Sequence, residues 1–518
     1  MAIVTPLETP PGVRRRLRLA SPATLEPIGE IELPTTEEVH AAIQAARKAQ
    51  PAWAALPVKE RARYMTKALK VLLERQDEFI QVLQRETGKP RTEALEMDIF
   101  AACDALQFYA KRSARFLRPE RKRIHGVVGL SKQLRIVYRP LGVVGVISPW
   151  NGPFILSINP TIQALMAGNS VVLKPSSATP YSGKLVGDLF EAAGLPQGVL
   201  TVLLGDADTG AALMEAGVDK ISFTGSVATG RKIAMACAER LIPCTLELGG
   251  KDPMVVLADA DLDRAAGGAV AGAFMNAGQY CCGTERIYVV EAVADEFTRR
   301  VVERASKLRQ AAGGEFDVGA MIWPRQLEIA EEHVADAVAK GAKVLVGGRR
   351  NPTLKGLYYE PTVLTNVTHD MLVMREETFG PILPIMRVRD EEEAIRLAND
   401  TVYGLAANVW TRNKRRGLGV AQRINSGSVC VNDMAMTYGV PEAPFGGWKN
   451  SGIGQVNGEI GLRGYCHIQP ILIDRFGGKQ TANKYPYSFQ KDAGMQKFIR
   501  FLWGTRLGRW LSMRRLPL

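Results

Sequence analysis

The sequence lacks an apolar run long enough to cross a membrane. No stretch of about eighteen consecutive apolar residues occurs in the 518-residue chain, whereas a spanning helix needs roughly twenty. The basic N-terminal stretch that ends at Ala20 is not followed by an apolar segment, so it does not fit a secretory signal. We therefore expect neither a membrane-spanning chain nor one that carries such a signal.

Cysteine is also scarce. The chain has seven cysteines, an odd number without regular spacing, so they do not make a disulfide framework. This usage predicts a reducing, cytoplasmic setting in which each thiol is judged singly. The seven are Cys103, Cys237, Cys244, Cys281, Cys282, Cys430 and Cys466.

Histidine is rarer still, with five in the chain. A cysteine hydrolase needs an imidazole beside its thiol, and none of the five lies in a motif-like setting. The sequence therefore does not favour a cysteine hydrolase, and it predicts no metal site.

Positive charge is in excess, with a formal net charge of +13. Such a balance attracts anions, among them phosphates, nucleic acid and lipid headgroups. Part of the excess is local, because residues 491–518 hold seven Lys or Arg against one acid, Asp492.

The C-terminal segment 475–518 interleaves aromatic and Leu side chains with arginines, which is typical of an amphipathic helix at a membrane surface. Gly504 and Gly508 each lower helix propensity by about 1 kcal/mol relative to Ala, so a bent or two-part helix is expected. The alternative is a helix that packs on the body or on a partner subunit, with its arginines solvated. We predict peripheral membrane contact and no nucleic-acid partner.

The chain is too long for one ordinary core, so two or three domains are expected. The first segment is predicted to be helical, because Thr35 and Glu38 have the spacing of a capping box. From Leu141, short runs of Val, Ile and Leu alternate with helix-length segments, and the same alternation resumes after Cys282. This alternation predicts an α/β fold with two parallel sheets covered on both faces, divided near residues 249–250.

Two junctions between a strand and a helix could bind an anion. In "KISFTGSVATGRKIA", Gly225, Ser226 and Gly230 open a helix, and in "VVLKPSSATP" a strand ends at Lys174 beside a turn. Neither matches the G-x-G-x-x-G pattern, and each alone is weak. Together in one sheet, they predict a dinucleotide site at the carboxyl edge of the strands.

Two polar residues stand at the ends of apolar strands. Glu247 in "LELGGKDP" is either a surface acid or a general base whose pKa is raised by partial burial. Asn151 in "SPWNGPF" is either a turn residue or an amide that donates to an oxyanion.

The adjacent thiols of Cys281 and Cys282 are either packing residues or contain a nucleophile. Burial in apolar surroundings keeps a thiol inert, because the thiolate is the reactive form. Flanking glycines and the polar Gln279 favour a functional site.

These motifs occur in the order found in the aldehyde dehydrogenase superfamily, which the chain resembles over roughly residues 30–473. The ordered motifs are Asn151 in "PWN", Lys174 in "LKPSS", "FTGS", Glu247 in "ELGGKDP", Cys281 in "GQYCC", Glu377 and Phe379 in "EETFGP", and "PFGGWKNSGIG". The resemblance implies two Rossmann-like α/β domains plus a small β element for oligomerisation.

The resemblance also implies a reaction, the NAD(P)-dependent oxidation of an aldehyde to its acid. Cys281 would be the nucleophile, the Asn151 amide and the Cys281 N–H would hold the oxyanion, and Glu247 would activate water to cleave the thioester. A CoA-acylating enzyme normally lacks that glutamate. A non-catalytic scaffold would not need all three residues.

The residues that would bind NAD or NADP follow from the same resemblance. They are Ser148, Pro149, Trp150, Lys174, Ser176, Ser177, Phe223, Gly225, Ser226, Gly230, Leu248, Glu377 and Phe379. NAD-specific members usually carry Glu where this chain has Ser177. Its absence removes a like-charge repulsion of a 2′-phosphate, which implies use of both cofactors.

The substrate is expected to be an apolar aldehyde, aliphatic or aromatic. The segments "GPFILSINP" and "GAFMNAGQY", which flank the funnel in the family, contain no Lys or Arg, whereas a succinate-semialdehyde enzyme should place a cation there. A semialdehyde dehydrogenase is the alternative. The lining is predicted to include Phe154, Leu156, Tyr280, Cys282, Tyr438 and Phe445. A further alternative for the C-terminal segment 475–518 is that it lies over the mouth of this funnel.

The domain boundaries implied by the resemblance are as follows. Residues 22–118 and 141–249 would bind the dinucleotide, 250–462 would form the catalytic domain, and 119–140 with 463–474 would form the oligomerisation element. An unpaired edge strand is a liability unless a partner covers it, so a homodimer or homotetramer is expected.

Overall fold

The computed structural model describes residues 3–7, 14–475, 485 and 487–513. The chain divides into two compact units. Unit 1 comprises Met1–Ser113 and Leu141–Tyr465, and unit 2 comprises Ala114–Pro140 and Cys466–Leu518.

The strands are, in chain order, β1 (Val4–Pro6), β2 (Arg16–Ala20), β3 (Pro27–Glu32), β4 (Glu120–Lys122), β5 (Lys132–Pro140), β6 (Val143–Ile147), β7 (Ser170–Lys174), β8 (Leu200–Val202), β9 (Lys220–Thr224), β10 (Cys244–Glu247), β11 (Pro253–Val256), β12 (Arg286–Val290), β13 (Lys343–Val346), β14 (Thr362–Thr365), β15 (Ile382–Val388), β16 (Asn408–Trp410), β17 (Cys430–Val431), β18 (Gly452–Ile453) and β19 (Cys466–Asp474).

The helices are α1 (Thr36–Ala55), α2 (Val58–Glu74), α3 (Gln76–Thr87), α4 (Arg91–Glu93), α5 (Ala101–Phe116), α6 (Val128–Ser131), α7 (Ile155–Ala167), α8 (Pro180–Ala192), α9 (Ala207–Glu215), α10 (Val227–Glu239), α11 (Leu262–Phe274), α12 (Glu291–Ala305), α13 (Pro324–Ala339), α14 (Leu372–Arg375), α15 (Glu391–Asn399), α16 (Lys414–Ala421), α17 (Gly458–Arg463), α18 (Phe489–Gly504) and α19 (Arg506–Met513). A π-helical turn, Ala94–Phe100, joins α4 to α5, and 3-10 turns cover Met275–Gly278 and Lys449–Ser451.

The first large sheet of unit 1 has the strand order β18-β10-β9-β6-β7-β8. Strands β6 to β10 are parallel, and every residue of β6 and β7 is buried. The chain runs from β6 outward through β7 to β8, then crosses to β9 on the other side of β6. In such sheets a ligand binds beyond the carboxyl ends of the strands where this order reverses. The ends of β6 and β9, at Ile147 and Thr224, mark that position.

The second large sheet of unit 1 has the order β13-β14-β15-β12-β11-β16-β17. Its strands are parallel except β13, which pairs antiparallel at one edge. The sequence predicted the parallel strands of this sheet but not the antiparallel edge strand β13.

Two features of unit 1 were not predicted. A three-stranded antiparallel sheet, β1-β2-β3, precedes the first helix. Strand β18, predicted to belong with the catalytic domain, pairs antiparallel with β10 in the first large sheet. Because unit 1 contains both large sheets, the predicted boundary near residues 249–250 stays a prediction.

The predicted helix start at Thr35 is confirmed. Its side chain accepts a hydrogen bond from the Glu38 N–H, and the Glu38 carboxylate accepts one from the Thr35 N–H. Helices α2 and α3 follow, and α3 ends at Gly88 in the left-handed conformation.

Unit 2 contains a three-stranded antiparallel sheet in the order β19-β5-β4. Strand β19 pairs with β5 along its whole length and forms an edge whose residues beyond Cys466 are exposed. This geometry is consistent with the predicted oligomerisation element, which stays a prediction.

The C-terminal segment of unit 2 forms the two-part helix that its glycines predicted. Helix α18 ends at Gly504, and α19 begins at Arg506. Thr505 fixes the bend, because its Oγ1 donates to the Phe501 carbonyl at 2.8 Å and accepts from the Gly508 N–H at 2.9 Å. Within the described parts of the chain, no helix has the length and apolarity needed to span a bilayer.

Candidate active site

Asn151 follows β6 after the short segment 148–150 and is buried. Its Nδ2 donates to the carbonyl oxygen of Gln279 at 3.0 Å. This hydrogen bond joins the end of β6, a central strand of the first large sheet, to the segment that leads into Cys281.

The backbone before Cys281 is strained. Asn276 and Ala277 have φ values of 53° and 54°, in the left-handed region that costs a non-glycine residue about 1–3 kcal/mol. Gly278 follows with φ 72°, and a Cβ there would clash with the backbone of Gly380. Strain of this kind persists where the surroundings fix the backbone, and such places are often functional.

Buried side-chain amides hold this segment in place. The Asn276 Nδ2 donates at 2.9 Å to the carbonyls of both Asn151 and Gln279. The Gln279 Nε2 donates to the Asn276 carbonyl at 2.8 Å, and its Oε1 accepts from the Ile322 N–H at 2.6 Å. These bonds fix the approach to Cys281 relative to Asn151.

A buried ion pair supports Asn151 from the other side. The Lys89 ammonium lies 2.9 Å from the Asp98 carboxylate, and the two side chains are 1% and 0% exposed. Lys89 also donates to the Asn151 carbonyl at 3.2 Å, while Asp98 accepts from the N–H groups of Phe154 and Ile155 at 3.3 and 3.1 Å. Asp98 lies in the π-helical turn, a feature frequent at functional sites.

Glu247 is the last residue of β10 and is buried. Neither carboxylate oxygen has a hydrogen-bond partner among the described residues. Burial raises the pKa of Glu247 well above its usual range, and the charge of Cys281 raises it further. The carboxylate therefore lies near Cys281 in a setting suited to a general base.

Cys281 packs in one apolar cluster with four of the predicted lining residues, its neighbour Cys282 and three aromatic residues. Tyr280, Tyr438 and Phe445 belong to it, and the rings of Tyr438 and Phe445 meet edge to face at 5.2 Å. The other members are Leu405, Ala406, Ala435 and Val456.

The two adjacent thiols have different surroundings. Cys281 is partly exposed, whereas Cys282 is buried with its Sγ 3.9 Å from the Ala435 carbonyl. A hydrogen bond with Cys281, together with burial, raises the pKa of Cys282 well above its usual range. Since the thiolate is the nucleophile, these surroundings favour Cys281 over Cys282.

Two predicted lining residues near the start of α7 are buried. Phe154 is 0% exposed and packs edge to face on Phe79 at 5.3 Å. The ring of Phe154 thus packs in the core at the start of α7. Leu156, two residues further along the chain, is also buried, and the roles of both as lining residues stay predictions.

The junction of β9 and α10 presents a helix N-terminus near the carboxyl ends of β6 and β9. We call this place, where the strand order reverses, the switch point. Ser226 caps α10, because its Oγ accepts from the Thr229 N–H at 3.3 Å. A Cβ at Gly230 would come within 2.5 Å of the Leu248 side chain, so glycine lets the helix lie close to the end of β10. Buried Phe223 lies beneath Gly225. Such an N-terminus favours a pyrophosphate.

Lys174, Ser176 and Ser177 lie together where β7 ends. The Lys174 ammonium donates to the carbonyls of Pro175 and Gly205 at 2.9 and 3.1 Å, and burial lowers the pKa of Lys174 to about 8. The turn is held by Ser176, whose Oγ accepts from the Ala178 N–H at 3.2 Å.

Glu377 approaches the backbone just after β10. Its carboxylate accepts from the Gly250 N–H at 2.9 Å, and a Cβ at Gly249 would clash with it. Burial, followed by the charge of Glu285, raises the pKa of Glu377 to about 8. The two glycines of "ELGGKDP" thus admit a carboxylate that a larger residue would exclude.

Phe379 is held in a strained conformation, with φ 49° and its ring edge-on to Trp150 at 5.5 Å. The Glu285 carboxylate accepts from the N–H groups of Thr378 and Phe379 at 3.0 and 2.8 Å. Glu285 is itself paired with the buried Lys251 ammonium at 2.5 Å. This ion pair positions the segment that carries Glu377 and Phe379.

Sequence reasoning missed the residues that position the site. They are Lys89, Glu93, Asp98, Lys251, Asn276 and Glu285. Among them, Glu93 accepts a hydrogen bond from the Asn276 N–H at 2.8 Å. Two carried a signal, because Lys251 sits beside paired glycines and Glu285 opens an apolar strand. A buried charge must be paired, but its partner is distant in the chain.

Comparisons with known proteins agree with this geometry. The profile of the "Aldehyde dehydrogenase family" matches residues 10–471. A 4,4'-diapolycopene aldehyde oxidase of Methylomonas sp is 41% identical over 459 residues, which are 88% of this chain and 86% of that protein. A Mycolicibacterium smegmatis protein, named as an NADP(+) succinate-semialdehyde dehydrogenase, is 43% identical over 449 residues, 86% of each chain.

A solved structure also has this fold. The crystal structure of a Mycobacterium tuberculosis aldehyde dehydrogenase complexed with NAD+ superposes with a TM-score of 0.85 at 36% identity, covering 92% of this chain and 98% of that one. The predicted α/β fold of the aldehyde dehydrogenase type is confirmed. The chain therefore belongs to the aldehyde dehydrogenase family, and the prediction of an NAD(P)-dependent aldehyde dehydrogenase is confirmed.

Proposed function

We propose that this enzyme oxidises apolar aldehydes to carboxylic acids through a covalent intermediate on Cys281. The observation that carries the proposal is the packing of Cys281 among Tyr280, Tyr438 and Phe445. Glu247 lies close enough for the charge of Cys281 to affect its pKa, and Asn151 is joined by a hydrogen bond to the segment just before it.

In the first half of the reaction, the Cys281 thiolate attacks the aldehyde carbon and a C–S bond forms. The negative charge moves to the carbonyl oxygen, where the Asn151 amide and the Cys281 N–H stabilise it. Asn151 exchanges its bond to the Gln279 carbonyl for this oxyanion. The bound cofactor supplies a hydride acceptor, so that loss of hydride from the carbon leaves a thioester on Cys281.

In the second half, Glu247 removes a proton from water, which attacks the thioester carbon and releases the acid and the Cys281 thiol. Burial and the Cys281 thiolate both raise the pKa of Glu247. When Cys281 becomes a thioester its charge is lost, so one of these two causes disappears. The Glu247 carboxylate therefore becomes a more available base at the step that needs it.

The residues at the switch point fit a dinucleotide. The capped N-terminus of α10 suits the pyrophosphate, Lys174 and Glu377 suit the two riboses, and Ser177 leaves room for a 2′-phosphate. The Mycolicibacterium smegmatis relative is named for NADP(+), and the Mycobacterium tuberculosis structure contains NAD+. We infer that this chain accepts both.

Replacing Ser177 by Glu should shift cofactor use toward NAD. A carboxylate beside Lys174 would repel the 2′-phosphate, so we expect roughly a tenfold fall in the ratio of kcat/KM for NADP to that for NAD. The measurement is initial rates with both cofactors at one aldehyde concentration. Ser177→Gln, which adds bulk without charge, is the control, and an unchanged ratio in Ser177→Glu would contradict the proposed position of the phosphate.

The surroundings of Cys281 also suggest the substrate class. No Lys or Arg occurs in residues 152–166, 271–283 or 434–448. Polar contacts there are neutral, such as that of the Asn159 amide with the Tyr438 hydroxyl at 3.3 Å. A substrate carboxylate would find no cation from these segments.

Negative charge near this loop adds to the argument. Glu442 lies between Tyr438 and Phe445 in the chain, and burial together with the charge of Glu442 raises the pKa of Asp104. Two neighbouring carboxyl groups would repel an anionic semialdehyde. One relative is named for a polyene aldehyde and the other for succinate semialdehyde, and this chain's own residues favour the first class.

A substrate profile tests this proposal. We expect kcat/KM for octanal or benzaldehyde to exceed that for succinate semialdehyde by about tenfold or more, because each unpaired charge in a desolvated site is costly. Glu442→Lys should raise turnover of succinate semialdehyde selectively, with Glu442→Gln as the neutral control. Faster turnover of succinate semialdehyde by the unmodified enzyme would refute the apolar assignment.

The domain roles and the oligomeric state are part of the same proposal. Residues 141–249 would bind the dinucleotide, residues 250–462 would carry the nucleophile, and β5 with β19 would join subunits. The exposed edge of β19 supports a homodimer or homotetramer.

A further inference from the structure

The positive charge of the protein is concentrated in unit 2. The two stretches of unit 2, residues 114–140 and 466–518, hold 18 Lys or Arg and 3 Asp or Glu. The whole chain holds 66 and 53, so the rest of the chain has 48 and 50. Unit 2 thus has a net charge of +15, and unit 1 of −2. An excess on one unit indicates an anionic partner for that unit.

Helices α18 and α19 expose large apolar side chains together with this charge. Trp503, Leu507 and Trp510 are 58%, 59% and 47% exposed. Other exposed apolar residues of the two helices are Phe489, Met495, Phe498, Ile499, Phe501 and Met513. A set of this size on two short helices is unusual for a surface that faces only water.

The two helices are held in one arrangement. Leu502 is the buried apolar residue of α18, and Gly508 packs against the backbone at Phe501 and Leu502, where any Cβ would clash. The Arg509 guanidinium donates to the Trp503 carbonyl at 3.1 Å. The aromatic side chains are therefore presented on a fixed helical hairpin rather than on a chain that must first fold.

Basic side chains are interleaved with the aromatic ones. Lys497, Arg500 and Arg506 are all exposed, and residues 487–513 hold five Lys or Arg against one acid, Asp492. A second copy of this hairpin would bring like charge against like charge. Nucleic acid would match the charge but is bound mainly through phosphate contacts and polar groups, which leaves the aliphatic side chains unburied.

We propose that the hairpin of α18 and α19 binds the surface of an anionic lipid membrane. Its Trp and Leu side chains enter the boundary between headgroups and acyl chains, while Lys497, Arg500 and Arg506 pair with lipid phosphates. This contact is peripheral, and it is independent of which aldehyde the enzyme oxidises.

Vesicle co-sedimentation of the full-length enzyme tests the charge component. The enzyme should bind vesicles of phosphatidylcholine with phosphatidylglycerol and should bind pure phosphatidylcholine at least about tenfold more weakly. Arg500→Glu with Arg506→Glu should weaken binding to the anionic vesicles by about tenfold or more. Lys414→Glu with Arg415→Glu, exposed on α16 of unit 1, is the matched control and should bind as the unmodified enzyme does.

Quenching by brominated lipid tests the apolar component. Fluorescence of the bound enzyme should be quenched by brominated phosphatidylcholine in anionic vesicles, and the quenching should be lost in Trp503→Phe with Trp510→Phe. Aldehyde turnover without vesicles should be equal in all variants, which shows that they are folded.

Three outcomes would overturn the proposal. They are equal binding to neutral and anionic vesicles, equal binding by the charge-reversed variant, and preference for a duplex oligonucleotide over anionic vesicles. A change of oligomeric state in the Trp503→Phe, Trp510→Phe variant would instead assign the hairpin to a second copy.

Discussion

Replacing Cys281 by Ser is expected to abolish aldehyde oxidation while leaving cofactor binding nearly intact. A serine hydroxyl stays protonated near neutral pH and is a far weaker nucleophile than a thiolate. The change alters one atom, so the packing with Tyr280 and Tyr438 should be kept. We expect turnover to fall by at least about 1,000-fold, measured as NAD(P)H formation, with cofactor affinity measured by fluorescence titration.

Cys282→Ser is the matched control for that experiment. Its thiol is buried beside the Ala435 carbonyl, and its pKa is raised, so it should not act as the nucleophile. The expected result is a changed KM for the aldehyde with a modest change in kcat. An inactive Cys282→Ser enzyme together with an active Cys281→Ser enzyme would contradict the assignment.

Replacing Glu247 by Gln is expected to stop the reaction after one turnover. The amide cannot take a proton from water, so hydrolysis of the thioester should slow by about 100- to 10,000-fold. Formation of the thioester does not require this base. Stopped-flow measurement should therefore show a burst of one NAD(P)H for each active site, followed by a very slow steady rate.

The pH dependence of deacylation follows from the same residue. Burial raises the pKa of Glu247 above its usual range, and this cause persists in the thioester, in which the Cys281 charge is lost. Only the carboxylate form of Glu247 accepts a proton. Deacylation in the unmodified enzyme should therefore speed up as the pH rises through that raised pKa. Loss of this dependence in Glu247→Gln would support the role, whereas loss of the burst itself would place Glu247 in an earlier step.

Local features of the fold could be predicted because they depend on residues near each other in the chain. The capping box of Thr35 and Glu38 joins positions three residues apart, and the bend after Gly504 follows from glycine's low helix propensity. The parallel strands β6, β7, β9 and β10 could be predicted because each is a short apolar run separated from the next by a helix-length segment. The sheet β1-β2-β3 was missed because its strands are three to six residues long and alternate polar with apolar residues, unlike the unbroken apolar runs that marked the large sheets.

The candidate site likewise contains residues that local motifs identified and contacts that only the structure shows. The ordered motifs placed Asn151, Glu247 and Cys281, because each lies in a short, recognisable stretch. The burial of Phe154 was not predicted, since nothing in "GPFILSINP" reveals that Phe79 packs on its ring. An aromatic side chain in such an apolar segment is equally compatible with the core and with the lining of a site until its neighbours are known.

By itself, the sequence determined the family, the reaction type and the sequence positions of the strands that carry the motifs. Only the tertiary structure decided which adjacent thiol is buried, that burial raises the pKa of Glu247, and which charges pair. Lys89 with Asp98 holds the Asn151 carbonyl, and Lys251 with Glu285 holds the segment of Phe379. Burial and ion pairing depend on side chains brought together from distant parts of the chain, whereas motifs and helix ends depend on a few consecutive residues.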